Sequence, residues 1–85
     1  MLFDIDHFKQ INDQRGHLRG DELLRELAAK LDESARETDY VARYGGEEFV
    51  VVMPQTDLFG ACIFAERMRD AVAQQLSLTI SGGVA

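Results

Sequence analysis

Glu47 and Glu48 are neighbouring carboxylates on a glycine turn, Gly45-Gly46-Glu47-Glu48-Phe49, set between two apolar, strand-like runs. Two like charges about 4 Å apart repel by roughly 4 kcal/mol at an effective dielectric near 20, so such a pair persists with a compensating cation or with one member turned away. Gly45 and Gly46 can take positive φ without penalty and, lacking side chains, let a ligand approach the backbone closely. The combination suits a polyanion and its metal; the competing interpretation is a solvated acidic hairpin tip. A second acidic element opens the chain, where Leu2-Phe3-Asp4-Ile5-Asp6 forms a short apolar strand ending in carboxylates. Magnesium takes hard oxygen ligands, commonly one or two carboxylates together with phosphate oxygens and waters. Asp4 and Glu47 supply them if the two strands are neighbours; taken alone, Asp4 is a strand-end turn residue.

The elements that must position these groups follow from periodicity. The pattern predicts a strand at 2–6, a helical turn near 8–14, a helix from about 18 to 34, strands at 40–44 and 48–53, a helix from about 57 to 74 and a strand at 77–81. Phe49-Val50-Val51-Val52-Met53 is β-branched enough for a buried central strand, and Pro54 ends it. Leu23, Leu24, Leu27, Ala28 and Leu31 make one helical stripe, and Ala61, Phe64, Ala65, Met68 and Val72 a second, so both helices are expected on one side of the sheet. Thr56 or Asp57 can cap the second long helix. Leu78 and Ile80 alternate with Ser77, Thr79 and Ser81, which buries one face of the last strand. His7-Phe8-Lys9 turns from strand into helix, an arrangement that points free amides outward where phosphates can take them, with Lys9 adding a charge.

Composition narrows the classes. Eighty-five residues allow one small domain, and a chain of this size buries only about 60% of its unfolded surface, so dimerisation or a ligand would add needed stability. A net charge of −6, with nine basic residues spread along the chain, argues against a nucleic-acid partner. No apolar run approaches the ~18 residues of a membrane span, and no leader pattern follows Met1, so a cytoplasmic location is expected. The lone Cys62 excludes an internal disulfide and, within a helical pattern, is expected to be a small packed hydrophobe.

In order and spacing, Asp4-x-Asp6-x-Phe8-Lys9-x-Ile11-Asn12-Asp13, Gly16-His17-x-x-Gly20-Asp21, Arg36-x-x-Asp39 and Gly45-Gly46-Glu47-Glu48-Phe49 together resemble the GGDEF family of bacterial diguanylate cyclases, from Leu2 to about Arg69. The resemblance implies an α+β domain, an antiparallel-rich sheet covered by helices in the palm-like arrangement of nucleotidyl cyclases, with the glycine hairpin central. It implies a metal site, for Mg2+ or Mn2+, of the Asp4 carboxylate, the Ile5 backbone carbonyl and the Glu47 carboxylate, which accounts for an apolar residue between acids. It also implies that Asn12 and Asp21 hold guanine, with His17, His7, Phe8, Lys9, Gly45 and Gly46 around the substrate. A carboxylate accepts from the N1 and N2 donors of guanine and rejects adenine. The simpler alternatives are that Asn12-Asp13 end a helix and that Asp21 caps the next.

The implied reaction joins two GTP molecules into cyclic di-GMP with loss of pyrophosphate, Glu47 supporting the catalytic metal and Glu48 serving as a second carboxylate for metal or base. Because one domain holds one GTP, a homodimer is required. Arg36 and Asp39, with Arg67 from the second long helix, match the family's inhibitory product site, although a bare Arg-x-x-Asp is usually a surface ion pair. The family's usual preceding helix and loop, and the following helix whose Lys and Arg hold the triphosphate, have no counterpart in these residues. The core is therefore expected to be incomplete at both ends. The connection between Ala73 and Leu78 is shorter than usual, and Gly82 replaces a customary isoleucine, which should weaken the last strand. Two functions of different class remain: a diguanylate cyclase core, and a catalytically impaired module that binds cyclic di-GMP or GTP for regulation.

Overall fold

The structure is a computed structural model describing residues 1–85. The chain forms β1 (Leu2–Ile5), α1 (Phe8–Arg15), α2 (His17–Ser34), β2 (Tyr40–Arg43), β3 (Glu48–Val52), α3 (Leu58–Leu76) and β4 (Ile80–Gly83). The strands make one antiparallel sheet in the order β2-β3-β1-β4, so the strand opening the chain lies between the hairpin and the last strand. Alternation along the strands turns Phe3, Ile5, Phe49, Val51 and Ile80 to one face, where the predicted helical stripes meet them. Leu23, Leu24, Leu27 and Leu31 of α2 and Phe64, Met68 and Val72 of α3 complete a single buried cluster. The helices thus cover one face of the sheet, as their stripes require. No helix is long and apolar enough to cross a membrane.

Several expectations need correcting. β3 is central but buried on one face only: Phe49 and Val51 are enclosed whereas Val52 is half exposed, because nothing covers the opposite side of the sheet. The last strand is displaced toward the C-terminus, 80–83 rather than 77–81. Gln74-Gln75-Leu76 offers no helix-breaking residue, so α3 runs on until Ser77 adopts the left-handed conformation at φ 54 and stops it. Leu78 and Ile80 are buried as the alternation predicts.

Gly82 does not simply weaken its strand. It pairs with Phe3, and a Cβ there would lie 2.6 Å from the Leu2 carbonyl oxygen and 2.9 Å from the Phe3 ring, so the missing side chain makes room for the aromatic one. Cys62 is exposed rather than packed, since Ala61, Phe64 and Met68 take the inward positions of α3. Asp57 is the cap of α3, accepting from the Gly60 amide at 2.8 Å. Asp21 caps nothing: α2 starts at His17 behind Gly16, whose φ of 85 gives the sharp α1–α2 corner that glycine allows.

Candidate functional site

The register of β1 against β3 places Asp4 opposite Glu48. Directly paired residues share a face, and Phe3 and Ile5 point into the core, so Asp4 and Glu48 stand on the uncovered side. The Ile5 N–H donates to the Glu47 carbonyl oxygen at 3.4 Å, which brings the turn alongside the end of β1. The Glu47 and Asp4 carboxyl groups meet there within hydrogen-bonding reach. Burial, then the charge of Asp4, a hydrogen bond with it and the charge of Glu48 push the Glu47 carboxyl above its ordinary value of 4.5. None of the three acids has an ion pair; the only pairs involve Arg19 and Arg69. The Glu47–Asp4 contact is thus crowded and has no counter-charge.

Backbone direction adds a third oxygen. The Asp6 N–H donates to the Thr79 carbonyl of the segment entering β4, at 2.9 Å, and no peptide bond is cis. In a trans peptide the C=O of one residue points opposite to the N–H of the next, so the Ile5 carbonyl faces the hairpin and its acids. The Glu47 N–H does not bond back to it. Two carboxylates and a backbone carbonyl, crowded without a counter-charge, fit a hard divalent cation. No group of three His, Cys, Asp or Glu side chains converges in this way.

The turn does not use the conformational freedom its glycines have. Neither Gly45 nor Gly46 has a positive φ. The Tyr44 N–H, and more weakly the Gly45 N–H, converge on the Glu48 carbonyl at 2.8 and 3.4 Å, closing the hairpin without the left-handed conformation. Gly45 matters for space instead, because a Cβ would lie 3.3 Å from Glu48 Oε1; at Gly46 nothing lies within 4 Å. Arg43, which the motif reading passed over, bonds through Nε to the Gly45 carbonyl at 3.2 Å and through Nη2 to the Gly46 carbonyl. An arginine two residues before a pair of glycines with bare carbonyls is the signal that was available.

The other side chains divide into two groups. Asn12 lies inside α1, not at its end, and packs where Gly20 leaves space: a Cβ at Gly20 would overlap Asn12 Oδ1 at 1.8 Å. This brings Asn12 beside the turn of α2 that carries Asp21. Asn12 Oδ1 is buried without a hydrogen-bond partner, an acceptor left for something else. Asp21 borders a cleft of about 350 Å3 between α2 and the hairpin strands, lined also by Arg43 and Phe49.

His7, Lys9 and His17 are exposed, while the Phe8 side chain belongs to the core, so only its backbone is open to a ligand. His7 takes φ 58 and ψ 32, a conformation costing a non-glycine residue of order 1 kcal/mol, and α1 begins without a side-chain cap. Arg36 and Asp39 form no ion pair. Asp39 Oδ2 accepts from the Arg36 amide at 2.8 Å and the Asp39 amide donates back to the Arg36 carbonyl at 3.0 Å, closing a turn. The Arg36 guanidinium and Asp39 Oδ1 are left without partners, and Arg67 also has no ion pair.

A sequence profile described as "Diguanylate cyclase, GGDEF domain" matches residues 1–83. The chain belongs to the GGDEF family. It is 49% identical over 94 residues to the response regulator PleD of Caulobacter vibrioides, a match covering 99% of this chain and 21% of that protein. Its fold is similar to the active GGEEF domain of a diguanylate cyclase from Vibrio cholerae, with a TM-score of 0.90 at 36% identity, covering 98% of this chain and 57% of that one. The GGDEF domain of DgcB from Caulobacter crescentus, solved in complex with c-di-GMP, gives a TM-score of 0.91 at 32% identity, covering 98% of this chain and 55% of the other. The chain spans between 14% and 26% of the length of the curated relatives it matches. The α+β cyclase fold implied by the motifs is the fold observed.

Proposed function

We propose that this chain is the core of a diguanylate cyclase, a single GGDEF domain in which two GTP molecules, one on each of two facing copies, become cyclic di-GMP with loss of pyrophosphate. The observation that carries this reading is the meeting of Asp4 and Glu47 at the end of β1, beside an Ile5 carbonyl aimed the same way. Asp4, Glu47 and the Ile5 carbonyl would hold Mg2+ or Mn2+, which when bound lowers the pKa of the attacking 3′-hydroxyl and neutralises charge on the leaving group. Glu48, on the same face as Asp4, is the second carboxylate, for the metal or to receive the hydroxyl proton. The amides of Phe8 and Lys9 at the start of α1, with the Lys9 charge, suit the phosphates; His7, which precedes them, and His17, at the start of α2, are both exposed.

Asn12 and Asp21 offer guanine its acceptors, and the bare backbone of Gly45 and Gly46 lets the nucleotide lie close. The exposed Arg36 and Arg67 guanidinium groups, with the buried, unpartnered Asp39 Oδ1, suit a guanine edge and a phosphate of the product, as an inhibitory site. GTP as substrate places the reaction in the cytoplasm. Incubation with GTP and Mg2+, with product followed by chromatography beside a Glu47→Gln control, tests the proposal. Cyclic di-GMP formed by the wild type and lost in the variant is the expected result. No product, with retained cyclic di-GMP binding that Arg36→Ala abolishes, would support instead the regulatory binding module that the unpartnered Arg36 and Asp39 atoms also suit.

A further inference from the structure

Asp6 was part of the motif but had no role, and the structure ties it down twice. Its N–H donates to the Thr79 carbonyl at 2.9 Å, and its Oδ1 accepts from the Ser81 hydroxyl at 2.7 Å, so both its backbone and its side chain are fastened to β4 and the segment entering it. Ser81 stands directly opposite Asp4 in the β1–β4 register, on the edge of β1 turned from the glycine hairpin. Asp6, Thr79 and Ser81 line a cleft of about 630 Å3 between α3 and β4 that neither Asp4 nor Glu47 borders. Immediately before Asp6 is the peptide whose carbonyl faces the hairpin, and immediately after it is His7 in its left-handed conformation. A peptide plane rotates as a unit, so whatever holds the Asp6 N–H holds the Ile5 carbonyl. The Thr79 carbonyl holds that N–H from one direction. Ser81 holds the carboxylate of the same residue, so Asp6 is anchored through both its amide and its side chain.

Resting on the cyclase reading, we propose that the Asp6–Ser81 pair is a positioning device for the metal site, fixing the direction of the Ile5 carbonyl from the far side of the strand. Ser81 and Asp6 touch neither nucleotide nor metal; they act through the backbone, as outer partners of metal ligands do. The rival explanation is a simple staple holding β4 to the end of β1, which would affect stability and nothing else.

The test is Mn2+ binding to the whole chain, with no nucleotide present, followed by loss of the free-ion electron paramagnetic resonance signal. Thermal melting in EDTA is recorded alongside. Ser81→Ala and Asp6→Asn are expected to weaken Mn2+ binding about 10-fold, the low end of what outer partners contribute, and Ser81→Thr to restore it. Unchanged Mn2+ affinity in both variants, with or without a lower melting temperature, overturns the proposal and leaves the cyclase reading standing. A wild-type chain whose Mn2+ binding is unaffected by Glu47→Gln overturns both.

Discussion

The two polar turns of this chain are built on opposite plans. At Gly45–Glu48 the acids are left with their charges uncompensated, because a β-strand register has pressed Asp4 against them from a distant part of the sequence. At Arg36–Asp39 a stretch of four residues closes on itself, the carboxylate bonding the amide of its own turn and leaving the guanidinium outside. The first turn therefore depends on the whole sheet, and the second would survive much of its loss. A site assembled by register stores repulsion that a ligand can relieve; a local turn stores little.

Glu47→Gln separates them most sharply. Turnover should fall by more than the ~10–100-fold that losing an outer metal contact costs, while the metal-free protein becomes more stable. The sign follows from the raised carboxyl. The folded state favours the protonated acid, so the Glu47 contribution to stability is fully present below the ordinary value of 4.5 and is lost as pH rises past it through the raised value. Urea titrations of the two proteins in EDTA should coincide at low pH and diverge toward neutrality, the variant ahead. If wild type is the more stable at pH 7 without metal, the stored repulsion does not exist.

Arg36→Ala comes next. Loss of a hydrogen bond to a charged group, worth about 1.5–3 kcal/mol, should weaken cyclic di-GMP binding by ten-fold or more in a calorimetric titration, with no change in melting temperature. Asp39→Ala should differ by also opening the turn, at about 1 kcal/mol of stability; equal melting temperatures for the two variants would deny the turn its local character. Smallest is Ile5→Val. A shortened core side chain costs about 0.5–1.5 kcal/mol, yet Mn2+ affinity should hold, because the atom that matters there is the carbonyl oxygen. A loss of Mn2+ binding as large as that of Glu47→Gln would mean that the Ile5 side chain, not its backbone, shapes the site.

Much of this was legible beforehand. The helical stripes through Leu27 and Met68 place α2 and α3, and the alternation of Leu78 and Ile80 identifies the buried face of the last strand even though the strand itself begins later. The errors are of one kind. Cys62 faces solvent where its helical position suggested the core, and Gly82 is not a gap in its strand but the space for Phe3. Each is a question of what lies opposite a residue, and periodicity along one segment says nothing about that. Arg43 and the Asp6–Ser81 contact were missed for the same reason.

Residue types and short-range spacing by themselves determined which elements form, which of their faces are apolar and which acids are available, since these depend on neighbours three or four positions away. Which acids meet was decided by strand order. With β1 inserted between β3 and β4, Asp4 is delivered to the glycine turn and Asp6 to Ser81 on the other side. Only the pairing of distant strands around one buried core sets that order, because the apolar surface it encloses outweighs the repulsion it creates.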